Sequence, residues 1–329
     1  MGSTRNRTRA FVIAAALAAG MIALAATMQW REAMDDKVKT VILNPDDPAQ
    51  SRVGELVYRG GLDIPRMGQD LGGLSALRWD AQSGRLLALT DDARFVWIAP
   101  REDAERLVGI ETIEVGDLLD LQGEALAGKA QGDSESLTRS ASGGWLVGFE
   151  RDHRVWRYPT LSGLPEETGI DPVSIMGALE PNGGTETLAL DERALLICAE
   201  RFLEPPAPNC FWQTQGMGPS AVRIEPPQDM RGIGAVATDA DAANDATLFV
   251  LFRSYTSSQG NVGGITVGRR DGTFAGIATF RAPLNVDNFE GLAVREEGEK
   301  TFLYIVSDDN FSSSQRTLLM KFEWAPAEL

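Results

Sequence analysis

Three glutamates recur at one place in a repeated pattern, and they limit the chemistry open to this chain. Glu135, Glu186 and Glu290 each stand two residues before a leucine, in Ser134-Glu135-Ser136-Leu137, Thr185-Glu186-Thr187-Leu188 and Phe289-Glu290-Gly291-Leu292. A second set of acids follows apolar runs further along each segment: Asp91, Asp92, Glu150, Glu200, Asp308 and Asp309. Arg151, Arg201 and Arg253 sit in or beside that second position. Carboxylate oxygens converging at short range suit a hard divalent cation such as Ca²⁺ or Mg²⁺. Without a cation or arginines to neutralise them, they repel one another. Guanidinium groups beside them can grip a phosphate or carboxylate with paired hydrogen bonds. The expected roles follow. Glu135, Glu186 and Glu290 are bases or metal ligands, Glu150, Glu200, Asp91 and Asp308 are further ligands, and Arg151, Arg201 and Arg253 bind a small anionic substrate. The plainer alternative is that the acids brace turns through backbone N–H groups and that the Glu–Arg pairs latch neighbouring elements.

Several reaction classes lack their residues. The chain of 329 residues has one histidine, His153, so a histidine metal cluster is excluded. There is no Gly-x-Ser-x-Gly elbow, and a Ser-His-Asp esterase would have His153 as its only base. Neither a P-loop nor a dinucleotide-binding glycine loop occurs. The net charge of −16 repels phosphate backbones and argues against nucleic acid as a partner. Any enzyme here works with carboxylates and a metal-activated water. Cys198 and Cys210 match no metal motif. They either pair in an oxidising compartment or leave Cys198 as a buried thiol.

The elements that must position these residues come from the repeat. Segments starting at 73, 133, 184, 234 and 288, spaced by 50 to 60 residues, share one plan. A short strand, a polar turn and a second apolar strand ending in a charged residue make a β-hairpin. That period is the length of a four-stranded propeller blade. The remaining strands are expected at Arg94–Ala99, Gly109–Val115, His153–Tyr158, Val173–Met176, Asn209–Gln213, Ala221–Glu225, Gly264–Arg269 and Gly276–Arg281. With 34 glycines for tight turns and no long helical periodicity after residue 31, the fold class is an all-β propeller. Five blades are favoured. Six would follow if 101–132 hides a blade, and a solenoid lacks caps. The fifth repeat is one strand short, so Glu55–Gly60 is expected to close it beside Thr317–Trp324. First strands line a propeller's channel and second strands run back beside them, so both acid sets meet at one mouth. That mouth is lopsided, because Ser75 and Ala235-Val236 stand where the other repeats carry Glu.

Ahead of the propeller, Arg5, Arg7 and Arg9 precede an unbroken apolar run from Phe11 to Ala26. This is a secretory signal, or an uncleaved membrane anchor over residues 10–28. Either way the arginines stay inside and the rest is exported, to the periplasm or another extracytoplasmic space. The expected organisation is 1–30 leader or anchor, 31–51 linker and 52–329 propeller. The membrane is met only through the N-terminal segment.

The motifs Gly73-Leu74-Ser75-Ala76-Leu77 with Leu89-Thr90-Asp91-Asp92, Asp133-Ser134-Glu135-Ser136-Leu137, Asn288-Phe289-Glu290-Gly291-Leu292, and Ser307-Asp308-Asp309-Asn310-Phe311-Ser312 with Gln315-Arg316-Thr317-Leu318-Leu319 carry a resemblance. The chain resembles the bacterial phytase-like domain, also described by its esterase-like activity of phytase, over roughly residues 55–325. The resemblance implies an exported propeller that hydrolyses phosphoesters or esters. In β-propeller phytases, calcium held by carboxylates at one mouth binds substrate phosphates and activates water. The acids here permit that arrangement. The other readings are a non-catalytic propeller that binds a ligand or an envelope component, and a sugar-lactonase-like enzyme with a carboxylate-held ion.

Overall fold

The computed structural model describes residues 28–326, apart from 35–36, 67–70, 192, 202–207, 215 and 271. The basic and apolar leader therefore lies outside the described residues. Five sheets follow one another in the chain. Blade one is β5 (Leu74–Asp80), β6 (Arg85–Thr90), β7 (Arg94–Asp103) and β8 (Arg106–Asp117), with β1 (Met28–Ala33) added outside β8. Blade two is β9 (Ser134–Arg139), β10 (Trp145–Phe149), β11 (Arg154–Tyr158) and β12 (Glu166–Glu167). Blade three is β13 (Thr185–Leu190), β14 (Ala194–Ala199), β15 (Cys210–Thr214) and β16 (Ser220–Val222). Blade four is β17 (Val236–Ala242), β18 (Leu248–Thr256), β19 (Gly260–Gly268) and β20 (Ala275–Phe280). Blade five is β21 (Asn288–Glu297), β22 (Lys300–Asp308) and β23 (Thr317–Trp324), completed by β4 (Leu56–Ile64). The inner strands pack in a ring, β5 on β9, β9 on β13, β13 on β17, β17 on β21, and β21 back on β5.

The fold is thus an all-β five-bladed propeller. The closure expected from Glu55–Gly60 occurs and runs further, with Leu56 opposite Trp324 and Ile64 opposite Thr317. The stretch 101–132 hides no sixth blade. It extends β7 and β8 and ends in a short helix, α1 (Lys129–Gly132). The strand expected at Val173–Met176 is instead helix α2 (Pro172–Met176). Asp171 caps it by accepting Val173 N at 3.0 Å, and Pro172 fills the first turn, where no N–H is needed. The outer strand of blade two is the two-residue β12. The stretch 31–51 is partly strand as well, holding the end of β1 and β2 (Lys39–Val41), which pairs with β4; just beyond it β3 (Arg52–Val53) also pairs with β4. Cys198 and Cys210 lie opposite each other on β14 and β15 and form a disulfide. Among the described residues no helix is long and apolar enough to cross a membrane.

The near-continuous apolar runs of the second strands have a simple cause: both faces of each blade are buried. Along β6, Leu86 and Ala88 pack against blade five, while Leu87 and Leu89 pack against blade two. Along β14, Leu196 and Cys198 face blade four, and Leu195 and Ile197 face blade two. The five apolar clusters correspond to the five blade–blade interfaces.

At the axis, Arg78 of β5 is fully enclosed. Its guanidinium forms paired bonds of 2.8 and 2.9 Å with Asp239 of β17. It also donates to the carbonyls of Leu188 (2.6 Å), Ala240 (2.7 Å) and Leu292 (3.0 Å). Asp239 in turn accepts Leu77 N at 3.2 Å and Leu292 N at 2.8 Å. Burial pulls the Asp239 carboxyl up to about 6 against the attraction of Arg78. For Arg78 the same burial is outweighed by Asp239 and Asp241, and its value rises. The two shifts pull opposite ways on proton sharing. We take the pair as ionised, because every group facing Asp239's oxygens is an N–H donor. Sequence reading singled out neither residue. Replacing Arg78 by Met strands a buried carboxylate and is expected to lower unfolding stability by about 3–5 kcal/mol in guanidinium titration. Adding Asp239→Leu to that variant should recover part of the loss. A double variant no more stable than the single one would show that the pair is not what the axis depends on.

Candidate functional site

One backbone irregularity places the carboxylates. Four inner strands bulge where they meet the second strand, between Leu74 and Ala76, Ser134 and Ser136, Thr185 and Thr187, and Phe289 and Gly291. The extra residues are Ser75, Glu135, Glu186 and Glu290. A bulged residue leaves the ladder and its side chain is re-aimed, here at the channel mouth. In blade four the bulge lies between Ala237 and Asp239, so its residue is Thr238. The reading that set Ala235-Val236 opposite the glutamates is corrected accordingly, because the bulge of blade four comes two residues later in its repeat than the others. Thr238 behaves as Ser75 does. Ser75 donates to Ser134 O at 2.7 Å and Thr238 to Phe289 O at 3.3 Å, each latching to the next blade.

The same register defines a second ring. The residue following the one paired just before each bulge is Asp91, Glu150, Glu200, Arg253 and Asp308 in blades one to five. A single arginine therefore stands in a ring of four acids. Arg253 Nε lies 2.7 Å from Glu290 Oε1, and its Nη2 lies 3.3 Å from Glu200 Oε1. Burial would lower its pKa, but Glu290, Glu186 and Glu200 outweigh that and hold it above its ordinary value. Asn288 Nδ2 donates to Glu290 Oε1 at 2.7 Å.

Away from Arg253 the mouth is acidic. Asp133, Glu135 and Glu150 each present an oxygen within 4.8 Å of the others'. Asp133 is gripped by Arg151 Nε at 2.6 Å, with Lys129 Nζ at 3.6 Å, yet its buried Oδ1 has no hydrogen-bond partner. Lys129 is held more closely by Asp91, at 2.6 Å. Glu150 accepts Gly184 N, and the Glu186 carboxyl is near enough for each to act on the other's charge. Burial, and then the neighbouring carboxylates, push Glu135 and Glu186 well above the usual carboxylate range. Glu135 keeps some contact with channel water, whereas Glu186 and Glu290 are 7% and 8% exposed. Burial also raises Glu150 and Glu290 to about 7, and Asp308 to about 8.

The expected residues divide into two groups. Glu135, Glu186, Glu290, Glu150, Glu200, Asp91, Asp308 and Arg253 form the two rings. Arg151 supports Asp133 and also donates to Asn182 at 2.7 Å. Arg201 reaches Glu200 at 3.4 Å from an exposed position. Asp92 bonds to Thr90 Oγ1, and Asp309 pairs with Arg66 at 2.8 Å while accepting Phe311 N. Those two acids brace turns. His153 places Nε2 3.2 Å from Glu180 O and packs against Gly184. Asp133, Lys129 and Asn288 were missed as site residues. Asp133 and Asn288 had a visible signal, since both open their repeats where blades one and three have Gly73 and Gly184. Lys129 had none.

A donor set of crowded carboxylates, one with a buried oxygen that has no hydrogen-bond partner among the described residues, fits a hard divalent cation. Asp133, Glu135 and Glu150 would hold it.

Residues 69–311 match the family described as "Phytase-like: Esterase-like activity of phytase", and the chain belongs to that family. No match was found among curated proteins. Solved structures similar to this chain include an α-L-arabinofuranosidase from Podospora anserina in complex with cellotriose, at 9% identity and TM-score 0.44, covering 81% of this chain and 95% of that one. A thermostable family-43 glycoside hydrolase is similar at 11% identity and TM-score 0.40, covering 79% and 92%. A Trichoderma reesei carbohydrate-active enzyme of family AA12 is similar at 13% identity and TM-score 0.33, covering 90% and 98%. At these scores the likenesses carry no functional argument.

The raised acids fix a pH dependence. A carboxyl raised in the folded state keeps its proton there after the unfolded chain has lost it. The folded state then binds more protons, so stability falls as pH rises from the ordinary carboxylate range through about 8. In the presence of a chelator, the melting temperature should be lower at pH 8 than at pH 5, and Glu150→Gln with Glu290→Gln should flatten the slope. A melting temperature that climbs over this interval would contradict the burial of these groups.

Proposed function

We propose that this family member is an exported hydrolase of phosphoester or ester substrates that works at its acidic mouth with a bound divalent cation, Ca²⁺ by preference. One observation carries the reading: the three-carboxylate cluster of Asp133, Glu135 and Glu150, in which the buried Asp133 Oδ1 has no hydrogen-bond partner among the described residues. Oxygen-only donors favour Ca²⁺ or Mg²⁺ over softer ions. Such a cation supplies charge for the substrate's anionic oxygens and Lewis acidity towards water.

The chain's own residues do the rest. Arg253 is fixed between Glu200 and Glu290 and presents a permanent positive charge to an anionic substrate. Arg151 and Lys129 hold Asp133 in place. Glu186, held well above the usual carboxylate range beside the cluster, can pass its proton to a leaving oxygen, and the carboxylate left behind can accept one from water. Export rests on the N-terminal basic and apolar residues.

The test combines binding with turnover. Ca²⁺, Mg²⁺ and Mn²⁺ are added to the purified protein, and generic phosphoesters, carboxylic esters and lactones are assayed with each. A saturating ion, at about 100 times its Kd, should stabilise by about 2.7 kcal/mol, and Asp133→Asn with Glu150→Gln should abolish that gain. Arg253→Lys should raise KM for anionic substrates by about 10- to 100-fold, the equivalent of one charge-assisted hydrogen bond. Stabilisation without turnover would favour a binding propeller, and turnover confined to lactones would favour the lactonase-like reading. No stabilisation and no turnover with any ion would overturn the proposal.

A further inference from the structure

The propeller has two faces, and the chain arrives at one of them. β8 runs towards the acidic mouth, since its last residue, Asp117, pairs with Arg94 just beyond the end of β6. β1 runs antiparallel to β8, with Met28 opposite Gly116 and Ala33 opposite Thr112. Met28 therefore stands at the mouth end of blade one and the chain descends from there. In the sequence, the apolar run Phe11–Ala26 ends two residues earlier. Two residues span at most about 7 Å, which leaves no slack for the propeller to turn over.

The rim of the same face is built for an interface. Tyr255 projects from the end of β18, two residues beyond Arg253, and is 68% exposed. Phe311, in the loop that Asp309 braces, is 38% exposed with Arg66 against its ring. Around the acidic well stand Lys129, Arg151, Arg201 and Arg316, all with side chains at least a third exposed. An exposed tyrosine and an exposed phenylalanine, with cations on the same face, suit the headgroup region of a bilayer. The acids sit inside that rim, where a divalent cation can bridge them to a phosphate.

We infer that the apolar segment is retained in the membrane and that the acidic mouth faces the bilayer, so that its ligands are phosphate-bearing lipid headgroups. The orientation does not depend on the hydrolase reading and is tested without turnover. The full chain is reconstituted in vesicles of phosphatidylethanolamine and phosphatidylglycerol with Ca²⁺ present. A fluorophore is attached at Ser313→Cys on the mouth rim or at Ser142→Cys in the turn after β9 on the opposite face; both positions are exposed, and the native cysteines are bonded to each other. Spin-labelled headgroups should quench the rim probe several-fold more strongly than the far probe. A long Gly/Ser insertion before Met28, with a chelator present, should remove the difference. Equal quenching, stronger quenching at Ser142→Cys, or a chain released from the vesicles by loss of its N-terminus would each overturn the inference.

Discussion

The Arg78–Asp239 pair is the constraint on which the propeller's geometry depends. A ring of five sheets leaves an axial channel whose walls are inner strands, and the ends of those strands must be held at a common level. One guanidinium does this for four of the five. It touches carbonyls on β5, β13, β17 and β21, while its carboxylate partner takes backbone N–H groups from β5 and β21. Such a pair contributes little net stability after desolvation, but it disfavours every arrangement that leaves it half-satisfied. Its role is to specify register.

Register matters because the functional side chains are not on the regular ladder. They sit on bulges at the same height in each blade. A bulge takes one residue out of the strand alternation, so the glutamates reach the mouth while their neighbours stay in the blade interfaces. Where the bulged residue is small and neutral, as at Ser75 and Thr238, it latches blades instead. Fivefold repetition thus supplies five equivalent positions, and the residue type at each decides whether it braces or presents charge.

The mouth is polarised by that choice. Blades two, three and five carry carboxyl groups in both rings, whereas blade four carries a hydroxyl and an arginine. Like charges within a few ångströms cannot all ionise, so protons are retained on the acidic side. Arg253 keeps its neighbours paired on the other. The gradient from Asp133 to Arg253 gives an otherwise symmetrical channel a direction.

The periodicity of apolar runs, turn glycines and terminal charges made the propeller, its five blades and its closing strand legible from the sequence. These features repeat, and each hairpin is a local structure. Glu135, Glu186 and Glu290 were legible for the same reason, as was their meeting with the second acid set at one mouth. Three things were not. The local cap of Asp171 and Pro172 turned an apolar stretch into a helix. The later bulge of blade four moved its site position from Val236 to Thr238, because a bulge is defined by what a strand pairs with. Arg78, Asp239 and Lys129 look like ordinary charges in polar surroundings until the ring closes. The sequence by itself determined which residues recur, and hence the fold and the supply of carboxylates. Only the tertiary structure decided which of them crowd together, which are neutralised and which charge sits on the axis, because those outcomes depend on distances across the channel between residues far apart in the chain.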